Sequence, residues 1–476
     1  MAAPAFRSKF LSALFGSVEP ALDSSLAAML VGIVLVILVS ASSAQVVANV
    51  HGFNLSTSLS AYPYLVTLAQ GRDGKLYGTT TGGEWPWIGS VFRLQTTGKG
   101  GDVRGFYEDS SNGSNPWAGP TVATDGNLYG TMGTGGIQDD GVLFRITPSG
   151  IYTVLHEFFG GIDGSIPAAP PVEASDGNLY GTSRTTVYKY TRAGAFSTIY
   201  RLTDGSFILS AVIQAADGNL YGTASYGGAN GCGTIFKLTR SGILLHSYSF
   251  PCGEGGDSPW GTLTQATDGN FYGTTLGGGS HGVGTIFKMD QKGKITLLYH
   301  FQGFLNGDGE SPTAGLVQAS DGNLYGTTYK GGSSDCGILF QITPSGTYNP
   351  LYSLRDAVGC TTFGSLMQHT NGKLYGAAWS GGVFSYGSVY SLDVGLGPFI
   401  TFVRPTGRVG QTAQILGQAL TSTTSVAFNG IPSTSFSIVS DTYMTAVVPS
   451  GATTGRVVVT TTTGTLTSNK NFRISQ

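Results

Sequence analysis

Short runs in which apolar residues alternate with small or polar ones follow each other along most of the chain, separated by turns rich in Gly, Asp, Asn and Pro. The pattern is clearest between 314 and 354. Ala314 to Ser320 reads as one strand, Leu324 to Thr328 as a second, Gly337 to Ile342 as a third and Tyr348 to Leu354 as a fourth. Asp321-Gly322-Asn323 and Thr343-Pro344-Ser345-Gly346 supply tight turns between them. Within the second strand Leu324 and Gly326 face away from Tyr325, because successive strand side chains alternate. No apolar spacing of three and four residues sustains a helix in this part of the chain.

The second strand and its turn recur. Near copies of Asp321-Gly322-Asn323-Leu324-Tyr325-Gly326-Thr327-Thr328 place a tyrosine at Tyr77, Tyr129, Tyr180, Tyr221, Tyr272 and Tyr375 as well, seven units roughly 50 residues apart. That period belongs to propeller blades or solenoid turns. Each copy opens on Asp-Gly or Asn-Gly, which predicts a type I′ turn with positive φ at both central residues. Four antiparallel strands in each of seven units predict an all-β fold, a seven-bladed β-propeller spanning 45–395. The seventh unit lacks a fourth strand after Gly387 to Asp393, and an extra strand, Val46 to Phe53, stands before the first unit. The N-terminal strand is therefore expected to close the ring and remove its open edges. Beyond 396 the texture becomes rich in Thr, Val and Ser, and short alternating strands over 396–476 predict a β-sandwich.

Composition narrows the function. Gly accounts for 74 of 476 residues and aromatics for 11%, which suits short strands joined by tight turns. Charged residues are only 11% and the net charge is −2, so nucleic acid is not an expected partner. At the N-terminus, Arg7 and Lys9 precede the apolar run Leu26 to Val39 and the small-residue stretch Ser40 to Ala44. The run is shorter than the ~20 residues of a membrane span and predicts a signal peptide over 1–44, with an uncleaved signal anchor as the alternative. The protein is expected to be secreted, periplasmic or at the cell surface, touching a membrane only through that segment if it is uncleaved.

Two further patterns carry chemistry. Cys232 and Cys252 flank the third and fourth strands of unit four, and Cys336 and Cys360 stand similarly in unit six. The open ends of a hairpin lie side by side, so the bridges Cys232–Cys252 and Cys336–Cys360 are predicted. A metal site is not expected, since no CxxC spacing occurs, and no cofactor is expected either. Asp73, Asp125, Asp176, Asp217, Asp268 and Asp321, with Asn371 in the seventh unit, repeat at one position that ring symmetry would spread apart. Their expected task is capping their own turn rather than catalysis. The tyrosine of each motif is expected to pack between blades.

The loops between second and third strands share a rim with the connections between units, opposite the Asp-Gly turns. All five tryptophans fall there or at its edges, Trp85, Trp87, Trp117, Trp260 and Trp379, joined by Tyr226, Tyr329 and His281. Exposed aromatics among Gly and polar groups suit stacking on sugar rings or docking a protein. The plainer reading is that each Trp covers a gap between blades. An enzyme, a polysaccharide lyase or hydrolase, is the alternative to a binding protein, and a pure scaffold is a third reading. No GxSxG, HExxH or phosphate loop stands in a matching strand and helix context.

The repeated motif, with Gly284-Thr285-Ile286-Phe287-Lys288 and its equivalents, resembles the GloVer tandem repeat of exported bacterial proteins over residues 46 to about 394. The C-terminal segment is similar to an IPT/TIG domain through Pro405, Phe428-Asn429-Gly430, Val448-Pro449 and Gly455, which implies an immunoglobulin-like β-sandwich over 396–476. Together these resemblances imply a surface or secreted protein.

Overall fold

The structure, a computed structural model, describes residues 45–55, 60–83, 87–107 and 112–475. The segment predicted as a signal peptide or anchor and Trp85 lie outside the described residues. What is described is all-β, with a few single-turn 3₁₀ helices among forty strands.

Seven four-stranded antiparallel sheets follow one another along the chain. The sixth is representative: Val317–Gln318, Leu324–Thr327, Ile338–Ile342 and Tyr348–Ser353 pair in order. The first strand is thus much shorter than the run from Ala314 to Ser320 suggests. In the seventh sheet the strands Met367–Gln368, Leu374–Ala378 and Ser388–Asp393 are completed by the N-terminal strand Val46–Gly52. It pairs antiparallel with the third strand, from Val46 opposite Asp393 to Gly52 opposite Ser388.

Neighbouring sheets share apolar cores, and the succession returns to its start, so the arrangement is propeller-like. Tyr325, Leu339 and Leu354 of the sixth sheet pack with Leu374, Tyr390 and Leu392 of the seventh. Tyr375 and Val389 of the seventh, with Phe53, pack in turn with Leu68, Leu76, Phe92 and Leu94 of the first. A carboxamide or carboxylate at the end of most first strands adds a polar link. Gln368 accepts from the Ser320 N–H at 2.9 Å, Gln318 from Thr267 at 2.8 Å, Gln265 from Ala216 at 2.7 Å and Gln214 from Ser175 at 2.8 Å. Glu173 takes the Thr124 N–H at 2.6 Å, and Gln70 of the first sheet takes Thr370 of the seventh at 3.0 Å. Val122 occupies this position in the second sheet and offers no acceptor. There the Arg72 guanidinium donates to the Thr124 carbonyl at 2.5 Å instead.

Positive φ occurs at the turn glycines of the repeated motif, such as Gly126 at 88°, but not at the aspartates before them. The turn is therefore not type I′. Ala123 accepts from Gly126 and donates to Asn127, which is a three-residue connection closed by a left-handed glycine. The aspartate stays right-handed because its carboxylate caps the chain ahead: Asp125 accepts the Asn127 N–H at 3.0 Å, and Asp176, Asp217, Asp268 and Asp321 make the same bond. Its second oxygen accepts the hydroxyl of the tyrosine four residues on, at 2.8 Å for both Tyr272 and Tyr325. The glycine after the tyrosine serves a third need. Gly273 stands directly opposite Phe287, and a Cβ there would lie 2.5 Å from the ring, so only glycine lets the ring lie across the strand. Gly78, Gly130, Gly222 and Gly326 face Phe92, Phe144, Phe236 and Phe340 in the same way.

Two more four-stranded sheets form the C-terminal segment. One joins Thr401–Phe402, Thr412–Leu416, Tyr443–Val447 and Phe436–Ser440, the other Ile431–Pro432, Thr423–Phe428, Val457–Thr461 and Gly464–Thr467. Ile415, Leu420, Phe428, Met444, Val457, Val459 and Phe472 fill the core between them. This segment rests on the turn side of the propeller-like part. Arg72 lies over the Tyr443 ring and donates to Gln414 at 3.0 Å, Thr442 donates to the Arg72 carbonyl at 2.8 Å, and Thr370 donates to the Gly417 carbonyl at 3.1 Å.

Candidate functional site

A cavity of about 630 Å³ runs along the first strands. Its wall is made of small residues from all seven sheets or the connections before them, among them Thr67, Ala118, Ala169, Ser210, Gly261, Ala314 and Gly364. Several wall hydroxyls are committed: Ser210 bonds Thr223 of its own sheet at 2.8 Å, while Thr313 donates to the Thr362 carbonyl at 3.4 Å and Thr264 to that of Leu316, both in the next unit. One end is lined by Trp260 and Phe363. The other end reaches the turn-side residues Thr267 and Gly269 and is closed by Lys470, Asn471, Arg473 and Ile474 of the C-terminal segment.

Around Phe363 the rings form a connected group. Phe363 lies 4.7 Å from Tyr64, 4.8 Å from Tyr329 and 6.4 Å from Trp379 between ring centres. Tyr64 continues to Trp117 at 6.1 Å, and Trp379 to Tyr62 at 5.9 Å. Trp379 is 39% exposed. Of the candidates read from sequence, Trp117, Tyr329 and Trp379 therefore belong to one aromatic patch, and Trp260 lies on the same cavity. The others do not join it through ring contacts. Trp87 begins a third strand and lies tilted against Tyr107 with ring centres 3.8 Å apart, Tyr226 packs against Phe207, and His281 is exposed beside the Ser280 hydroxyl. The Trp117 ring also lies against the bare Cα of Gly133, in the loop that follows the second strand of its own unit. Tyr62, Tyr64 and Phe363, which tie the patch together, were not among the sequence candidates.

The remaining candidates are structural. The four cysteines form two bridges, Cys232–Cys252 with Cα atoms 5.4 Å apart and Cys336–Cys360 at 4.5 Å. Cys336, Asp356 and Cys360 bring metal-ligating atoms together, but the two sulfurs are bonded to each other. Burial of the repeated aspartates raises their pKa, and the facing N–H and hydroxyl donors more than offset it, leaving Asp125, Asp176, Asp217 and Asp268 below the usual carboxylate value. Each is engaged in its own turn. Asp308, on the acidic connection before the sixth sheet, accepts the Tyr299 hydroxyl at 2.8 Å and the Gln302 and Gly309 N–H groups. His156 bonds Asp163 at 2.6 Å, and burial still holds its pKa below the ordinary histidine value.

Fold and site together define an all-β, propeller-like tandem-repeat protein with an axial cavity and an aromatic patch at one end. The model of the Gloeobacter/Verrucomicrobia repeat matches residues 36–186, 183–307 and 209–437, and the chain belongs to that family. No curated protein matches it. Among solved structures, it is similar to a fungal alcohol oxidase of the AA5 family in complex with copper, at 14% identity and a TM-score of 0.46, covering 87% of this chain and 98% of that one. It is also similar to a gluconolactonase from Xanthomonas campestris, at 11% identity and a TM-score of 0.37, covering 57% and 84%. At that level neither neighbour's chemistry transfers to this chain.

Proposed function

We propose that the seven sheets are the blades of one closed β-propeller carrying an immunoglobulin-like module of the IPT/TIG kind, and that the protein is an exported or cell-surface binding protein whose aromatic face takes a polysaccharide. The observation that carries this reading is the linked ring group Tyr62, Tyr64, Trp117, Tyr329, Phe363 and Trp379 beside a cavity lined by Trp260 and Phe363. Rings of that kind stack on the apolar faces of sugars. The two disulfides fit an oxidising compartment. An enzyme acting in the cavity needs a group that moves a proton at the substrate. Among the described residues that line it there is no Asp, Glu, His, Cys or Tyr, so Lys470 is the one lining side chain left to do so, and the ring group favours binding over catalysis.

A glycan-array screen followed by titration of the best ligand tests the reading. Trp379→Ala removes a stacking surface worth about 1 kcal/mol, about fivefold in affinity, and lowers the melting temperature less than truncation of a fully buried Trp would, because the residue is 39% exposed. Equal losses of binding and stability would return Trp379 to packing, and an array on which no saccharide is retained would remove the function.

A further inference from the structure

The end of the cavity opposite the aromatic patch is positively charged. Lys470 and Arg473 both line it, and no acidic side chain does so among the described residues. Lys470 is exposed to the space inside the cavity while protein surrounds that space, and enclosure together with the nearby charge of Arg473 holds its pKa below the ordinary lysine value. Among the described residues its ammonium has no hydrogen-bond or ion-pair partner. Arg473 reaches the Gln214 carbonyl at 3.4 Å, and the field of Asp217 acts on it from outside the cavity. Asp217 is itself paired with Lys237 at 2.9 Å and with the Tyr221 hydroxyl at 3.0 Å. The other guanidinium groups of this face have partners: Arg404 lies 3.6 Å and Arg192 2.7 Å from Glu173, and Arg72 is bound to Gln414.

Two cations lining one cavity with no carboxylate facing them leave the balancing negative charge to be supplied by solvent ions or by a ligand. The wall between them and the aromatic end carries no charged side chain among the described residues, and Thr264 and Thr313 donate their hydroxyls to the next unit. Charged recognition is therefore concentrated at the floor, where a guanidinium fork and an ammonium suit a carboxylate. We infer that the cavity binds the acidic end of a uronate-containing saccharide, its carboxylate on Lys470 and Arg473 and its following sugar toward Trp260 and Phe363. This rests on the saccharide-binding reading and adds charge selectivity to it.

Calorimetric titration of the full chain with trigalacturonate and with its fully methyl-esterified, uncharged counterpart tests the inference. The acid is expected to bind at least about tenfold more tightly than the ester, with the preference reduced by high salt. Lys470→Gln should cost the acid about tenfold and leave the ester unchanged, Lys470→Arg should retain most of the affinity, and Arg473→Gln should act like Lys470→Gln. Melting curves of each variant report folding independently. If the ester binds as tightly as the acid, or Lys470→Gln leaves acid binding unchanged, the inference is overturned while saccharide binding stands. Should neither probe bind and the array retain no saccharide, both readings fall.

Discussion

Gly273→Ala tests whether the motif glycine is there for space. Its backbone does not have positive φ, so alanine adopts the same conformation, and in a strand alanine is ordinarily favoured over glycine by about 0.5–1 kcal/mol. Against that gain stands a Cβ that would lie 2.5 Å from Phe287 Cζ, 2.9 Å from its Cε1 and 3.2 Å from Leu263 Cδ2. The ring cannot retreat freely, because Phe287 is fully buried with Phe250 edge-on at 5.1 Å. Overpacking of this kind costs about 1–3 kcal/mol, so the net expectation is a loss of about 1–2 kcal/mol. Gly101→Ala is the control: it lies on an outer strand, also without positive φ, and an added Cβ there meets nothing within 4 Å. It should be neutral or slightly stabilising. Urea unfolding with a shared m-value reads both. A double variant, Gly273→Ala with Phe287→Leu, should lose less than the two single losses added together, since leucine leaves room for the methyl group. Equal stability of Gly273→Ala and Gly101→Ala would refute the steric account.

Removing residues 46–52 takes away six register pairs with Ser388–Asp393 and should cost on the order of 5 kcal/mol, seen as an early, broadened melt; an unchanged melt would show that the strand does not hold the ring. Replacing Cys336 and Cys360 together by serine should cost roughly 3 kcal/mol, and a wild-type midpoint that ignores a reductant able to open both bridges would contradict it. Tyr272→Phe deletes the hydroxyl donated to Asp268 and should cost about 1 kcal/mol at neutral pH. Because the folded carboxyl has a depressed pKa, that contribution is present above the unfolded value of ~3.9 and fades as pH falls through the folded one. The gap between variant and wild type should therefore narrow in acid, and a gap constant from pH 7 to pH 2 would detach the tyrosine from the carboxylate.

Local chemistry was legible in the sequence, and long-range assembly was legible only where it repeats. Aspartates that cap their own turns follow from Asp-Gly-Asn alone, and the bridges follow from cysteines placed beside a hairpin. The turn type was misread because Asp-Gly also suits a right-handed aspartate followed by a left-handed glycine, and the capping bond from Asn127 to Asp125 favours that form. The tyrosine hydroxyl on the same carboxylate was missed, although its spacing of four residues recurs in all six aspartate copies. The Gly–Phe pairing needs the register between second and third strands, which composition does not carry. Tyr62 and Tyr64 meet Phe363 and Trp379 only because the chain returns on itself, and nothing near either segment announces a partner about 300 residues away. Lys470 was invisible for the same reason, since a lone lysine in a polar segment reads as solvated surface.

Departures from the repeat cluster where the two parts of the molecule meet, and this gives the ring its polarity. Five units carry Ala before a Ser, Thr or Ala and then Asp-Gly-Asn, whereas the first reads Gly71-Arg72-Asp73-Gly74-Lys75 and the seventh His369-Thr370-Asn371-Gly372-Lys373. Those two turns stand side by side, for the His369 ring bonds the Gly74 carbonyl at 3.0 Å. These two turns grip the C-terminal segment, through the altered Arg72, which reaches Gln414 and Tyr443, and through two residues that keep the repeat's type: Gly74, which leaves room for the Thr442 side chain, and Thr370, which bonds Gly417 and Gln418. A repeat free to vary anywhere would scatter such changes, whereas these sit on one arc and bring Lys470 and Arg473 to the axis. Occupation of the turn-side end by this chain's own C-terminal segment makes the two ends of the cavity chemically different, cationic on one side and aromatic on the other. A ligand that bridges them must match both in order, which is what a charged terminus followed by a sugar ring provides.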